Sequence, residues 1–491
     1  MKQRTARTVR RSTTRVLVAI LFAGLTACMT NPATGERQFS LISMDQEIQM
    51  GSQADLQIAQ SMGIYPDDRL QAYVSELGTT MAATTEWPEL PWTFRVVDDD
   101  TVNAFALPGG FVYVTRGILS HFNSEAQLAG VLGHEIAHIT ARHGATRLTR
   151  MQMTQLGVGL AMVLEPRFQR IAPLAGAGMQ LLFLSFSRSD EQEADELGVR
   201  YMAGMGYDPE ALISVMETLR RVSEAGGQGR LPEWLATHPH PENRQDDIRG
   251  HAAALEPQEY VSDRREEYLR RIDGIVYGPD PREGYMLGGS FHHPTLRFVL
   301  EFPLGWTVIN QKQAVIALSE ERDASVQLTI SEETSIDAAA RNLYDTEGVD
   351  GVGITRVRIN GLPAGVGAFS VPTEQGLIEG SAAFIEYDGR IFQLIGYSAA
   401  STWEAYRRQV TPSLESFRPL TDRRALAVEP MRLDVTRVAR ATSLRALYDS
   451  YYNGTTPAVS IEQIALINQL EPDSRLAAGT LVKMVHGSPP R

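Results

Sequence analysis

One stretch limits what this 491-residue chain can become more than any other. It runs from Ser124 to Gly144 and reads S-E-A-Q-L-A-G-V-L-G-H-E-I-A-H-I-T-A-R-H-G. Ser124 and Gln127 have the spacing of a capping box, which predicts a helix beginning at Glu125. Leu128, Val131, Leu132, Ile136 and Ile139 recur at helical intervals, and Gly144 is the expected C-terminal stop. His134, Glu135 and His138 then lie inside one helix. Residues four apart stand one above the other on a helix face. Two imidazoles so arranged can both reach one metal ion at about 2.0–2.1 Å. Glu135, beside the first histidine, is positioned to take a proton from an attacking water and pass it to a leaving amine. The H-E-x-x-H pattern on a capped helix is a strong indication of zinc-dependent peptide hydrolysis.

A zinc site needs a further protein ligand. His143 is nearest, but the ten-residue spacing and the glycine of the metzincin pattern are replaced here by Gly144 and Ala141, so His143 reads as an exposed helix-end histidine. Ser187 to Glu196 (S-R-S-D-E-Q-E-A-D-E) opens another expected helix, on which Glu191 and Asp195 share a face. One of such a pair can bind zinc while the other orients a histidine ligand. Glu193 and Glu196 read as a solvated acidic face, although residue chemistry alone does not choose between Glu191 and Glu193.

His134-Glu135-x-x-His138 followed by S-R-x-x-E-x-E-A-D resembles the gluzincins of the CAAX prenyl protease and HtpX family, particularly the soluble periplasmic BepA-like type. The resemblance covers about residues 40–250 and implies one zinc ion per chain. It implies Glu191 as the third ligand beside His134 and His138, with Asp195 as its partner behind the site. Two further segments match. Asn103-Ala104-Phe105-Ala106, before a Pro-Gly-Gly turn and the strand-like Phe111 to Thr115, corresponds to the family's edge strand. That strand receives substrate by main-chain pairing. Thr237-His238-Pro239 with Arg244 matches an H-P-x-x-x-x-R segment. It implies that His238 stabilises an oxyanion or caps the idle zinc, and that Arg244 supports the site. Catalytic roles thus fall to Glu135, His238, Asp195 and Arg244. His240 and His251 read as surface residues.

The chain's beginning reads as an address. Lys2, Arg4, Arg7, Arg10, Arg11 and Arg15 precede an apolar run, Val16 to Leu25, that is too short to span a bilayer comfortably. It ends in Leu25-Thr26-Ala27-Cys28, which resembles a lipoprotein lipobox with Cys28 as the lipidated residue. Residues 1–27 are therefore expected to be a lipoprotein signal peptide. Met29 after the cysteine points to the outer membrane, and the localisation expected is the periplasmic side of a bacterial envelope. Cys28 is the only cysteine, which excludes an internal disulfide or a thiolate metal cluster. The net charge of −13 argues against nucleic acid as a partner. Residues 156–186 are unusually apolar, but Glu165-Pro166-Arg167 and Arg170 interrupt them, which argues against a membrane span.

The fold class expected is α+β. A mainly helical zincin-type peptidase domain with a small edge-strand sheet occupies 28–265, and a linker 266–288. Alternating segments such as Leu296–Pro303, Ser325–Ile330 and Ile391–Ile395 predict an α+β domain over 289–422, with a weak similarity to PsbP. The order of segments in 430–486 resembles a small βααβ LysM module. It keeps Asn468, Leu470, Gly479 and Leu481 but has Ala441-Thr442 where glycine-aspartate is usual. The partners expected are unfolded or misassembled proteins, a membrane through the lipid anchor, and peptidoglycan or an outer-membrane assembly complex. The alternatives to a protease are a non-enzymatic assembly chaperone or envelope scaffold with a structural zinc, and a cell-wall hydrolase acting on peptide crosslinks.

Overall fold

The computed structural model describes residues 28–151, 185–225, 233–238, 244–261, 263–351, 353–373 and 376–488. Residues 1–27, expected as a signal peptide, and most of the apolar run at 156–186 lie outside these. The architecture mixes helix and sheet. Among the described residues no helix is long and apolar enough to cross a membrane.

The chain opens with a two-stranded antiparallel pair, β1 (Cys28–Thr30) and β2 (Arg37–Phe39). Two helices follow, α1 (Met44–Ser61) and α2 (Asp68–Ala82). Strands β3 (Thr93–Val97), β4 (Ala104–Leu107) and β5 (Phe111–Thr115) form a small sheet in the order β3-β5-β4, so β4 is an edge. The β4–β5 hairpin turns at Gly109 and Gly110, both at positive φ, and a Cβ on Gly109 would stand 2.5 Å from the Ile48 Cα. Only glycine fits a backbone held that tightly against α1.

After α3 (Arg116–His121) comes the helix that the sequence pattern predicts, α4 (Glu125–Thr140). Ser124 Oγ accepts from the Gln127 N–H, as expected of the cap. The Gln127 side chain, however, accepts from Asn123 N rather than Ser124 N, so the box is not closed in the usual way. The helix also stops earlier than Gly144. Thr140 is its last residue, and Arg142 takes the left-handed conformation at φ 59°. A glycine is the usual occupant of such a position; here Arg142 is held there by its side chain, which donates to Glu47 and to the Ile42 carbonyl.

Helices α5 (Arg188–Gly204), α6 (Glu210–Ala225), α7 (Glu233–Thr237), α8 (Arg244–Ala253) and α9 (Arg265–Ile272) complete the helical part. Tyr268, Leu269 and Ile272 of α9 are buried in the same core as α4, within the stretch expected as a linker.

Beyond Tyr277 the chain builds a second body with its own core, including Phe298, Leu328, Phe392, Leu394, Trp403 and Phe417. Long antiparallel strands at Leu362–Thr373, Gly376–Tyr387 and Arg390–Ala399 form the middle of its large sheet, and helix Ala400–Glu415 packs against them. The chain then returns to its point of departure. Strand β6 (Arg432–Arg437) meets the segment before the second body: Gly274 N donates to Leu433 O at 3.0 Å, and Tyr277 N to Met431 O at 2.8 Å. Helices α10 (Leu444–Tyr451) and α11 (Ile461–Ile467) and strand β7 (Leu481–His486) follow, with β7 antiparallel to β6. The βααβ order is present, and Leu433, Leu444, Ile464, Val482 and Met484 belong to the same apolar core as α4. Lys483, fully buried, donates to the carbonyls of Ser120 and Phe122 just before α4. The second body is thus inserted between two parts of one core.

Candidate active site

Helices α4 and α5 approach closely because Gly133 faces Gly198. A Cβ on Gly198 would lie 3.0 Å from His134 N, and one on Gly133 would lie 3.0 Å from Gly198 O. This contact brings the acidic face of α5 to the histidine face of α4. Helix α5 is fixed at its start by a closed capping box between Ser187 and Asp190.

His134, His138, Glu191 and His238 each offer a ligand atom within 4.8 Å of the others. All four are buried, and such a set could hold a metal ion. His134 Nε2 and His138 Nε2 are 3.1 Å apart. Glu191 Oε1 is 3.5 Å from His138 Nε2, and Oε2 is 3.6 Å from His134 Nε2. His238 enters this group, with Nδ1 2.9 Å from Glu191 Oε1 and 3.3 Å from His134 Nε2. Glu191 Oε2 is buried without a hydrogen bond, although Arg244 Nη1 forms an ion pair with it at 3.0 Å. Buried polar atoms left without hydrogen bonds in a set of nitrogen and carboxylate donors are what a zinc ion would satisfy.

Behind the group, His134 Nδ1 lies 3.0 Å from Asp195 Oδ1. Arg244 clamps Asp195 with two bonds, from Nε at 2.6 Å and Nη2 at 2.8 Å. The electrostatics follow from these contacts. Burial alone would raise Asp195, but Arg244 and His134 hold its carboxyl below the usual range. Burial would likewise raise Glu191, yet His238, His134 and Arg244 keep it well below. Burial pushes His134 down, while the bonds to Asp195 and Glu191 outweigh it and lift the imidazole to about 9. Burial and the neighbouring His134 drive His138 well below its ordinary value. A metal ion competes with protons for these nitrogens, so binding releases protons.

Glu135 is fully buried one residue from His134. Its Oε1 accepts from Trp234 Nε1 at 3.0 Å, and its Oε2 has no hydrogen-bond partner. Trp234 also stacks on His238, with centroids 4.8 Å apart, and carries the Arg244 guanidinium over its ring at 5.1 Å. Sequence reasoning missed this tryptophan. Its signal is the one-turn spacing to His238, since His238 N bonds to Trp234 O.

His143 is the clearest correction. It is only 3% exposed, not a surface histidine. Its Nδ1 is 2.9 Å from His138 Nδ1, and its Nε2 is 3.0 Å from Glu193 Oε2. Glu193, expected to be merely solvated, is therefore engaged one step behind the site. His251 is partly exposed, and His240 lies outside the described residues.

The edge strand β4 borders the site. Phe105, Ala106, Leu107 and Pro108 line one cleft together with His138, Phe186 and His238. Thr115 N donates to Asn103 O, so strand alternation turns the main-chain groups of Ala104 and Ala106 away from β5, where Ala104 is fully buried and Ala106 is partly exposed. Asn103 itself is buried, with its side-chain Oδ1 unpaired.

With this geometry in hand, residues 68–252 match Peptidase family M48. The chain is 33% identical over 261 residues to the Beta-barrel assembly-enhancing protease of Yersinia pestis, covering 51% of this chain and 52% of that one. It is similarly related to the Escherichia coli protein of that name, at 33% over 260 residues, or 49% and 53%. Mitochondrial metalloendopeptidase OMA1 of Schizosaccharomyces pombe is 35% identical over 221 residues, covering 43% of this chain and 63% of the other. The chain thus spans about half the length of the assembly-enhancing proteases it matches. Among solved structures, cyanobacterial PsbP from Synechocystis aligns at 15% identity and a TM-score of 0.23, over 28% of this chain and 98% of that one. The segment 68–252 is thus similar to the M48 peptidases, and within it His134, His138, Glu191 and His238 form the group that could hold a metal ion.

Proposed function

We propose that this chain is a zinc-dependent endopeptidase that removes misassembled proteins in a bacterial envelope. The observation that carries the reading is the buried carboxylate Glu135, with one oxygen held by Trp234 and the other free, beside four convergent metal-ligand side chains. His134, His138 and Glu191 would hold the metal. Zinc, when bound there, supplies Lewis acidity that acidifies water and polarises a carbonyl. Everything else is work for the chain's own residues. Glu135 Oε2 accepts a proton from the attacking water and returns it to the leaving amine. Trp234 keeps Oε1 occupied, so the proton goes to Oε2. Asp195, clamped by Arg244, fixes the ring of His134. Ala106, partly exposed on the edge strand, offers main-chain groups on which an extended substrate adds as a further strand.

The substrate class follows from that edge: unfolded chains rich in β-forming sequence pair most readily. The relatives in Yersinia pestis and Escherichia coli are named for enhancing β-barrel assembly, which supports a β-rich substrate here. Lipidation at Cys28, following a signal segment at 1–27, and an outer-membrane location complete the proposal. Contact with peptidoglycan or an assembly complex through 430–486 belongs to it as well.

One observation favours a second reading. His238 sits within the ligand group, and four protein ligands are the pattern of a closed structural zinc. The chain would then act as an assembly chaperone or scaffold, or be a protease held shut. Casein cleavage by the purified protein, beside Glu135→Gln and His238→Ala, separates these. Cleavage by the wild type that falls at least a thousandfold in Glu135→Gln supports the enzyme. Activity gained only in His238→Ala identifies a capped site. No cleavage by any of them leaves the scaffold reading standing and removes the protease.

A further inference from the structure

The two histidines of the H-E-x-x-H helix are supported differently. His134 reaches a carboxylate directly, with Nδ1 3.0 Å from Asp195. His138 has no carboxylate at its Nδ1; it has His143, at 2.9 Å, and Glu193 stands 3.0 Å beyond on the far nitrogen. We propose that His143 and Glu193 form a positioning dyad that fixes the tautomer and ring plane of His138 for metal binding. The inference rests on the zinc-site reading above.

The proton arrangement leaves little choice. His138 turns Nε2 toward His134 Nε2 and Glu191, so Nε2 must carry the lone pair in a metal-binding state. Its hydrogen then sits on Nδ1 and donates to His143 Nδ1. His143 must accept there, which puts its own hydrogen on Nε2, where Glu193 Oε2 accepts. The three groups form one consistent chain in which a carboxylate acts on the ligand through an intervening imidazole. Outer partners of this kind raise ligand basicity and hold ring orientation.

The fold makes the arrangement deliberate. His143 comes five residues after His138, a spacing that an unbroken helix does not set face to face. The turn at Arg142, at φ 59° and anchored by Glu47, folds the chain back so that His143 meets His138. Phe186 stacks on His138 at 3.9 Å between centroids, so the ring is held on its face as well as its edge. His143 is buried, whereas the Glu193 side chain keeps 31% exposure and can be changed without opening the core.

The test uses the full purified chain and reads zinc affinity by chelator competition, with the visible absorption of the cobalt-substituted protein as a second signal. His143→Leu is expected to weaken zinc binding by about ten- to a hundredfold. His143→Asn, whose oxygen replaces the Nδ1 acceptor, should recover most of that loss. Glu193→Ala should weaken binding by a smaller factor, and by nothing further in the His143→Leu background, because it acts only through His143. Unchanged affinity in a folded His143→Leu protein, or fully additive losses in the double variant, would overturn the dyad. A wild-type chain that binds no zinc would instead overturn the zinc-site reading, and the dyad with it.

Discussion

Single side chains decide how this site is aimed, and Trp234 is the sharpest case. Its indole is the only hydrogen-bond donor to Glu135 among the described residues, and the bond is to a carboxylate, the stronger kind. Trp234→Phe keeps the ring packed on His238 and removes the donor. The expected result is a fall in kcat of about ten- to a hundredfold with KM and zinc content unchanged, measured by steady-state kinetics on a peptide substrate. A loss confined to KM would mean that Glu135 is aimed by something else. The sequence pattern singles out His134, Glu135 and His138 because helical spacing brings those atoms together, whereas Glu191, on another helix, is chosen over Glu193 only by the family resemblance. Trp234, His143 and Glu193 escaped it for a physical reason. Each acts across a turn or between helices, and such contacts leave no periodic trace. A helix running on to Gly144 would leave His143 at an exposed end, whereas Arg142 bends the backbone two residues sooner and turns His143 inward.

At the level of elements, the site depends on how near two helices can come. Helices α4 and α5 touch backbone to backbone at Gly133 and Gly198. Gly198→Ala would force the helices apart by a few tenths of an ångström, because a helix backbone cannot yield. Overpacking of this sort costs about 1–3 kcal/mol. It should lower the melting temperature and weaken zinc binding, since Glu191 and Asp195 move with α5; a variant with wild-type zinc affinity would show that the contact does not set the ligand geometry. The edge strand makes an independent prediction. Ala106→Pro removes one outward N–H while leaving the bonds between β4 and β5 in place. Cleavage of casein should fall at least tenfold with zinc content unchanged, and intact activity would remove strand addition from the mechanism. The strand–turn–strand at 103–115 was readable from alternation and the Pro-Gly-Gly turn. The partnership of β3 with β5 was not, because it is parallel and joins segments separated in the chain.

Across the whole molecule, the α+β body leaves and returns through neighbouring strands. Tyr277 bonds directly to Met431, so a short glycine linker could replace residues 279–429. The excised protein should fold and bind zinc, as read by circular dichroism and metal content. A chain ending at residue 430 should not, because it lacks Leu433, Leu444, Ile464 and Met484 from the core beneath α4. Equal stability in both would contradict the shared core. Linear reading sees successive segments and gives no sign that the last one completes the first; only the pairing of β6 with the segment before the insertion reveals it. The pairing also has a consequence for order in time. Lys483 ties down the residues just before α4 from across 363 positions of sequence, and Asn123 donates to Ile467 across 344. A chain made from its N-terminus therefore leaves the entry to its H-E-x-x-H helix without these bonds until Ile467 and Lys483 have been made. The candidate ligands are all made by residue 238, but the residues that lead into their helix gain these anchors only hundreds of positions later.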